Sequence, residues 1–219
     1  MNKASLLTCL FLLYATSASA GLVNPGFEYG QANNTWGDHA DASISPSGGW
    51  YTTESDHQIE IWGNGFNGVA AYQGSNFAEL NANAVGTLYQ DTTGIATGNS
   101  VGYHFAHRGR LGVDTMRLTI TDLTTNQVLF SNTYSDGNTA WGYYQGTFVV
   151  PAGVSAGDKV RFAYISVSAA GNNPTYGNLL DAADFGVGVN QSVSSVPEPG
   201  TLAGLAMGGL GFLLHRRRR

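Results

Sequence analysis

The sequence predicts an all-β protein, a single β-sandwich domain carried between two terminal signals. Three observations predict it. Apolar residues recur at every second position in runs such as Thr115–Thr121 and Lys159–Val167, the period of a half-buried strand and not of a helix. Thirty glycines punctuate the 219 residues and cut the central body into short segments joined by turns. No stretch of that body combines a helical apolar period with caps.

Taken from the N-terminus, Met1 to Ala20 has a lone Lys3, an apolar run Leu6–Tyr14 and the small residues Ala18-Ser19-Ala20. This is the order of a signal peptide, so residues 1–20 are expected to be removed and the mature chain to begin at Gly21. Cys9 is the one cysteine and lies in that peptide. The mature chain is therefore expected to hold no disulfide, zinc-thiolate site or cysteine nucleophile. Residues 21–196 suit one domain. They contain five basic side chains (Arg108, Arg110, Arg117, Lys159, Arg161) against fourteen acidic ones, a net charge of −9. That balance argues against nucleic acid and anionic polymers as partners.

Eight strands are expected within 21–186. Gln58–Trp62, Asn76–Asn81, Gly86–Gln90 and Ser100–His107 come first. In Thr115–Thr121, Met116, Leu118 and Ile120 share one face, and the break at Thr124-Thr125-Asn126 predicts a hairpin with Gln127–Thr133. Trp141–Val150 follows, ended by Pro151. In Lys159–Val167, Val160, Phe162 and Tyr164 share one face. Strands at this spacing with glycine turns indicate a sandwich. Residues 187–195 are polar and small, a linker.

The last stretch, 196–219, orders three pieces. Pro197-Glu198-Pro199 is a rigid extended knuckle. Residues 200–214 are uncharged and apolar or small, a short transmembrane helix against the roughly 20 residues that span a bilayer. Arg216–Arg219 hold their end in the cytoplasm. This order resembles the PEP-CTERM sorting signal of Gram-negative bacteria that make extracellular polysaccharide. The resemblance implies export across the inner membrane, anchoring there before processing by an exosortase near Pro197-Glu198-Pro199, and residence at the cell surface or in the extracellular matrix.

Two motifs mark the ends of the body: Asn24-Pro-Gly-Phe-Glu28, and Gly177-Asn-Leu-Leu-Asp-Ala-Ala-Asp-Phe185. Together they resemble jelly-roll domains of the galactose-binding-like architecture common among carbohydrate-binding modules. They depart from that pattern at Pro25 and at Ala183-Asp184, with Asp181 the better match to the family aspartate. The resemblance implies a jelly roll whose first and last strands pair, with Glu28 and Asp181 meeting around a structural Ca²⁺, a hard cation that takes several oxygen ligands. The alternative is that Glu28 bonds backbone amides and Asp181 caps a turn, with no ion.

Sugar binding combines an aromatic plane with amide or carboxylate groups. Ile59–Tyr72 running into Phe77–Asn81 holds such a set. If Leu80 points into the core, Glu79 and Asn81 lie on the outer sheet face. Trp62, Tyr72, Glu79, Asn81 and Gln90 are the candidate ligand residues, with Phe66 a further ring, and the alternative for Trp62 is a place in the core. His104 and His107 fall on opposite strand faces, which disfavours a shared metal; Arg108 and Arg110 are expected to pair with carboxylates such as Asp114. A nucleophile elbow, a His-Glu-x-x-His helix and a phosphate loop are absent from the sequence. The reading favours a non-enzymatic surface or matrix protein associated with exopolysaccharide. A glycan hydrolase using Glu60 or Glu79 and a purely structural envelope or adhesion protein are the alternatives.

Overall fold

A computed structural model describes residues 21–189. The signal peptide, the apolar span, Pro197-Glu198-Pro199 and the arginine tail lie outside the described residues. Eleven strands form within them: β1 (Trp36–Ala40), β2 (Tyr51–Thr52), β3 (Gln58–Gly63), β4 (Asn76–Glu79), β5 (Thr87–Thr92), β6 (Ser100–Arg108), β7 (Asp114–Asp122), β8 (Gln127–Asp136), β9 (Gly142–Val149), β10 (Val160–Ser168) and β11 (Leu179–Val187). They build a jelly roll of two antiparallel sheets, ordered β1-β3-β4-β11-β6-β9 and β2-β5-β10-β7-β8. All eight expected strands are present as β3–β10, and β11 is the closing strand that the jelly-roll resemblance implies. β1 and β2 are additions: Trp-Gly-Asp-His-Ala has no apolar alternation to betray it, and β2 is two residues long.

The alternation seen in sequence is the alternation of burial. Met116, Leu118 and Ile120 of β7 and Val160, Phe162 and Tyr164 of β10 are sealed in the core, while Arg117 is exposed. Facing them across the sandwich are Ile59, Ile61, Ala78, Leu80, Phe105 and Leu180 of the six-stranded sheet. Phe27 stacks on Trp50 at 4.7 Å and Trp50 Nε1 donates to the Asn24 carbonyl at 2.9 Å, so the opening turn plugs one side of the core. The β7–β8 hairpin forms as expected. Its turn is tied by Asp122, which accepts the Thr124 N–H at 2.8 Å and the Thr125 hydroxyl at 2.6 Å.

The implied pairing of first and last strands does not occur. β11 lies between β4 and β6. The opening turn touches it through single bonds, from the Ala183 N–H to the Pro25 carbonyl at 2.9 Å and from the Leu22 N–H to Asp184 at 3.2 Å. The reason is local: Pro25 has no N–H to give a ladder. Asn24 (φ 50°) and Phe27 (φ 55°) also curl the chain into the left-handed region.

Candidate functional site

Strand register lays out the outer face of the six-stranded sheet. One row runs Asp38, Glu60, Glu79, Leu179 and Arg108 across β1, β3, β4, β11 and β6. The adjacent row places Trp36 beside Trp62 and Trp62 beside Phe77. The middle of this outer face is not open to solvent. Residues 64–75 fold over it, so that Val69 and Ala71 pack with Trp62, Phe77 and Leu179 in a second apolar cluster bordered by Phe66 and Trp141. Trp141 pins the loop by donating from Nε1 to the Ala70 carbonyl at 2.9 Å and meets Phe77 edge-on at 5.5 Å.

Glu28 and Asp181 hold the far end of that loop. Glu28 Oε1 accepts the Ser75 and Asn76 N–H groups at 2.8 and 3.3 Å. Asp181, fully buried, accepts the Gln73 N–H at 2.8 Å and its neighbour Ala182 at 2.6 Å. Burial pushes the Asp181 carboxyl well above its usual range, against the pull of these amides. Backbone hydrogens therefore point at oxygens that a cation would need. As arranged, the pair anchors the loop, and the charge of Glu28 adds to the rise at Asp181.

The five candidate ligand residues do not share one groove. Trp62 is 0 % exposed, caught between Phe66 and Phe77, with its Nε1 donating to Glu60 at 2.5 Å; it offers no ring face to solvent. Glu79 is equally buried. Gln90 belongs to the other sheet, where its amide exchanges two bonds with the Val23 backbone, at 2.9 and 2.7 Å. Asn81 is 1 % exposed at the end of β4 and lines a separate cavity. Tyr72 alone stays half-exposed, parallel to Tyr143 with ring centroids 5.5 Å apart and planes 5° from each other. At that spacing the stack is offset, giving a broad aromatic ridge. Exposed Gln145 and Thr147 follow Tyr143 on the outer side of β9, an edge strand. Tyr143 was missed in sequence because Tyr143-Tyr144 does not show which ring faces out. The other sheet also carries stacked rings, Tyr51 on Tyr89. There Arg161 lies over Tyr89 at 3.7 Å and pairs with Asp91 at 2.7 Å, so that face is taken.

Under the loops, Glu60 and Glu79 are cross-strand neighbours. Arg110 reaches over from the β6–β7 turn and donates to both Glu79 oxygens at 2.9 Å, with its guanidinium 4.0 Å from the Tyr176 ring and 4.9 Å from Trp62. The expected partner, Asp114, instead accepts the backbone N–H groups of Arg110, Ala170 and Asn178. Burial, and then the charge of Glu60, push the Glu79 carboxyl up to about 9. Burial likewise raises Glu60, which is held back by its bonds to Trp62 and Glu79. The pair therefore keeps a proton at neutral pH. His104 and His107 do lie on opposite faces: His104 near Tyr143, and His107 buried between Asp136 at 2.7 Å and Asn178 at 3.0 Å. Among the described residues, no group of three or more His, Cys, Asp or Glu side chains could hold a metal.

Residues 195–219 match the PEP-CTERM protein-sorting motif. The tail is a sorting signal. PEP-CTERM sorting implies export and exosortase processing at the membrane, so the PEP-CTERM tail fixes where the chain is handled independently of its sandwich. No curated protein matches the chain in sequence. Among solved structures, a cyclase from Fischerella sp. TAU in complex with 4-(1H-Indol-3-yl)butan-2-one is 11 % identical. It covers 77 % of this chain and 96 % of that one, with a TM-score of 0.53. The apo form of a Fischerella sp. cyclase is 15 % identical over 77 % and 95 %, with a TM-score of 0.50. A family 22 carbohydrate-binding module of Clostridium thermocellum Xyn10B is 14 % identical over 75 % and 99 %, at 0.47. At these identities the likeness to the two cyclase structures speaks to the sandwich fold alone.

Proposed function

We propose that the mature protein is a non-catalytic surface or matrix component of a Gram-negative cell, associated with exopolysaccharide and binding neutral glycan on the Tyr72–Tyr143 ridge. The observation that carries this reading is the half-exposed, offset pair of rings beside the exposed amide of Gln145. Flat rings stack on the C–H face of a pyranose, and amides bond its hydroxyls. The acidic body favours uncharged chains over anionic ones. A glycan array with the purified protein, followed by titration of the best oligosaccharide, tests it. Tyr143→Ala should weaken binding about tenfold or more with little change in melting temperature. Equal affinity in the variant refutes the ridge.

A catalytic role for the Glu60–Glu79 pair is the second reading, favoured by a carboxyl that holds its proton beside another carboxyl. Against it, Glu79 is sealed from any substrate and engaged by Arg110 and the Gly177 N–H. Release of a product from an array glycan, abolished in Glu60→Gln, would establish it.

A further inference from the structure

One side of the sandwich differs from the rest in charge. Residues 123–157 carry a single charged side chain, Asp136, and it is engaged by His107 and Tyr144. The other thirteen acids and all five bases of the body lie elsewhere in the chain. This neutral stretch builds β8 and β9, the last strands of the two sheets. Phe130 of β8 stacks on Phe148 of β9 at 5.7 Å, so the two edges lie side by side and close the same flank of the sandwich. Val128 and Val149 sit at one end of that flank, 57 % and 68 % exposed.

A strand at the margin of a sheet leaves a row of backbone N–H and C=O groups without ladder partners, and folded proteins guard such rows by shortness, charge, proline or a bulge. The opposite margins are guarded in this way. β2 has two residues, and β1 has five with Asp38 among them. β8 has ten residues and β9 eight, without proline and, but for Asp136 at the end of β8, without charge. The one bulge of β8 falls before Phe130 and leaves residues 130–136 in regular register. The Thr133 N–H is covered by the Asn132 side chain at 3.0 Å, a local cap that a partner strand can displace.

We infer that the β8 edge pairs antiparallel with the β8 edge of a second copy, joining two five-stranded sheets into one. An unpaired edge fits an extended backbone, and two observations favour this chain's own. The outer row of β8 is Ser131, Thr133 and Ser135, beside Thr119, Arg117 and Thr115 of β7. A two-fold axis through this segment sets hydroxyl side chains opposite one another, a favourable cross-strand pairing. The rest of the body holds thirteen acids against five bases, a net charge of −8. Two copies therefore repel through their other sides and meet without repulsion on this one. With β2 too short to extend the sheet from its other margin, the pairing closes at two copies. The inference does not rest on the glycan reading.

The test is sedimentation equilibrium of the purified, exported protein over a wide concentration range, with hydrogen exchange followed in parallel. The parent should form a dimer, and exchange should slow with concentration at residues 130–136 while the interior strand β10 stays unchanged. Ser131→Glu and Ser131→Lys, changes at an exposed position, each bring like charges together across the axis and should weaken the dimer about tenfold or more. An equimolar mixture of the two should recover it as a heterodimer, which variants damaged in folding would not do. The inference is overturned if the parent stays monomeric throughout, if either variant dimerises like the parent, if the mixture stays monomeric, or if the parent grows into open-ended assemblies. A monomeric parent whose β8 exchange slows only on adding exopolysaccharide would give the edge to another occupant. Tyr143→Ala should leave the dimer intact, so the edge and the ridge stand or fall separately.

Discussion

Glu79 ties the stability of the fold to pH through a proton that the unfolded chain would release. Its folded value of about 9 lies above its ordinary 4.5. The folded state therefore binds more protons between those limits, and stability falls as pH rises through them. Glu60 and Asp181, both raised, act in the same direction. The melting temperature should decline from about pH 5 to about pH 9. Glu60→Gln, which removes the second cause of the Glu79 shift, should flatten the decline; an unchanged slope in that variant would mean the pair shares no proton. Trp62 makes a second prediction at this scale. Its ring is packed on several sides, so Trp62→Ala should cost about 3–5 kcal/mol in denaturant unfolding, as core truncations of large rings do. A loss within experimental error would return Trp62 to the surface.

The loop over 64–75 explains where sequence reasoning succeeded and stopped. Period-two alternation put Glu79 on the face opposite Leu80, and there it is, with Trp62 beside it on the adjacent row. Alternation reports which side of a strand a residue takes, not what later covers that side. Here Phe66, Val69 and Ala71, in a loop with no strand-length run of its own, close over the outer face. The same blindness hid Arg110: charge alone suggested a nearby aspartate, whereas the guanidinium crosses to Glu79 on β4. The strands of the core were legible because burial there is one-sided. The ridge was half legible, through Tyr72 and not its partner. The loop's anchors yield a prediction as well. Because Glu28 and Asp181 accept amides, Ca²⁺ and chelator should give the same melting temperature. Glu28→Gln should hasten hydrogen exchange at Ser75 and Asn76. A Ca²⁺-dependent rise that Glu28→Gln abolishes would restore the cation to this pair, since a ligand bound only by the folded state raises its stability.

At the scale of the molecule, the chain divides into a β-sandwich and a tail that is sorted. Replacing Pro197-Glu198-Pro199 with three alanines should leave intact the export that residues 1–20 are expected to direct, and should abolish trimming of the tail. Mass spectrometry of the exported product reads the difference, and an unchanged mature mass would sever the motif from processing. The two parts join at β11, which enters its sheet at Leu179 beside Arg108 and leaves at Val187 beside Val101. The Asn81 cavity and the Arg110 turn sit at the entry end.

β11 is also an interior strand, laddered to β6 along its length and to β4 at its start. Any tether attached beyond Val189 therefore hauls on the middle of a sheet and not on its margin. Tension along that strand loads its ladder bonds side by side, in shear, where a margin strand peeled sideways would surrender them singly. A pull applied beyond Val189 is thus shared between β11 and the two strands it is laddered to.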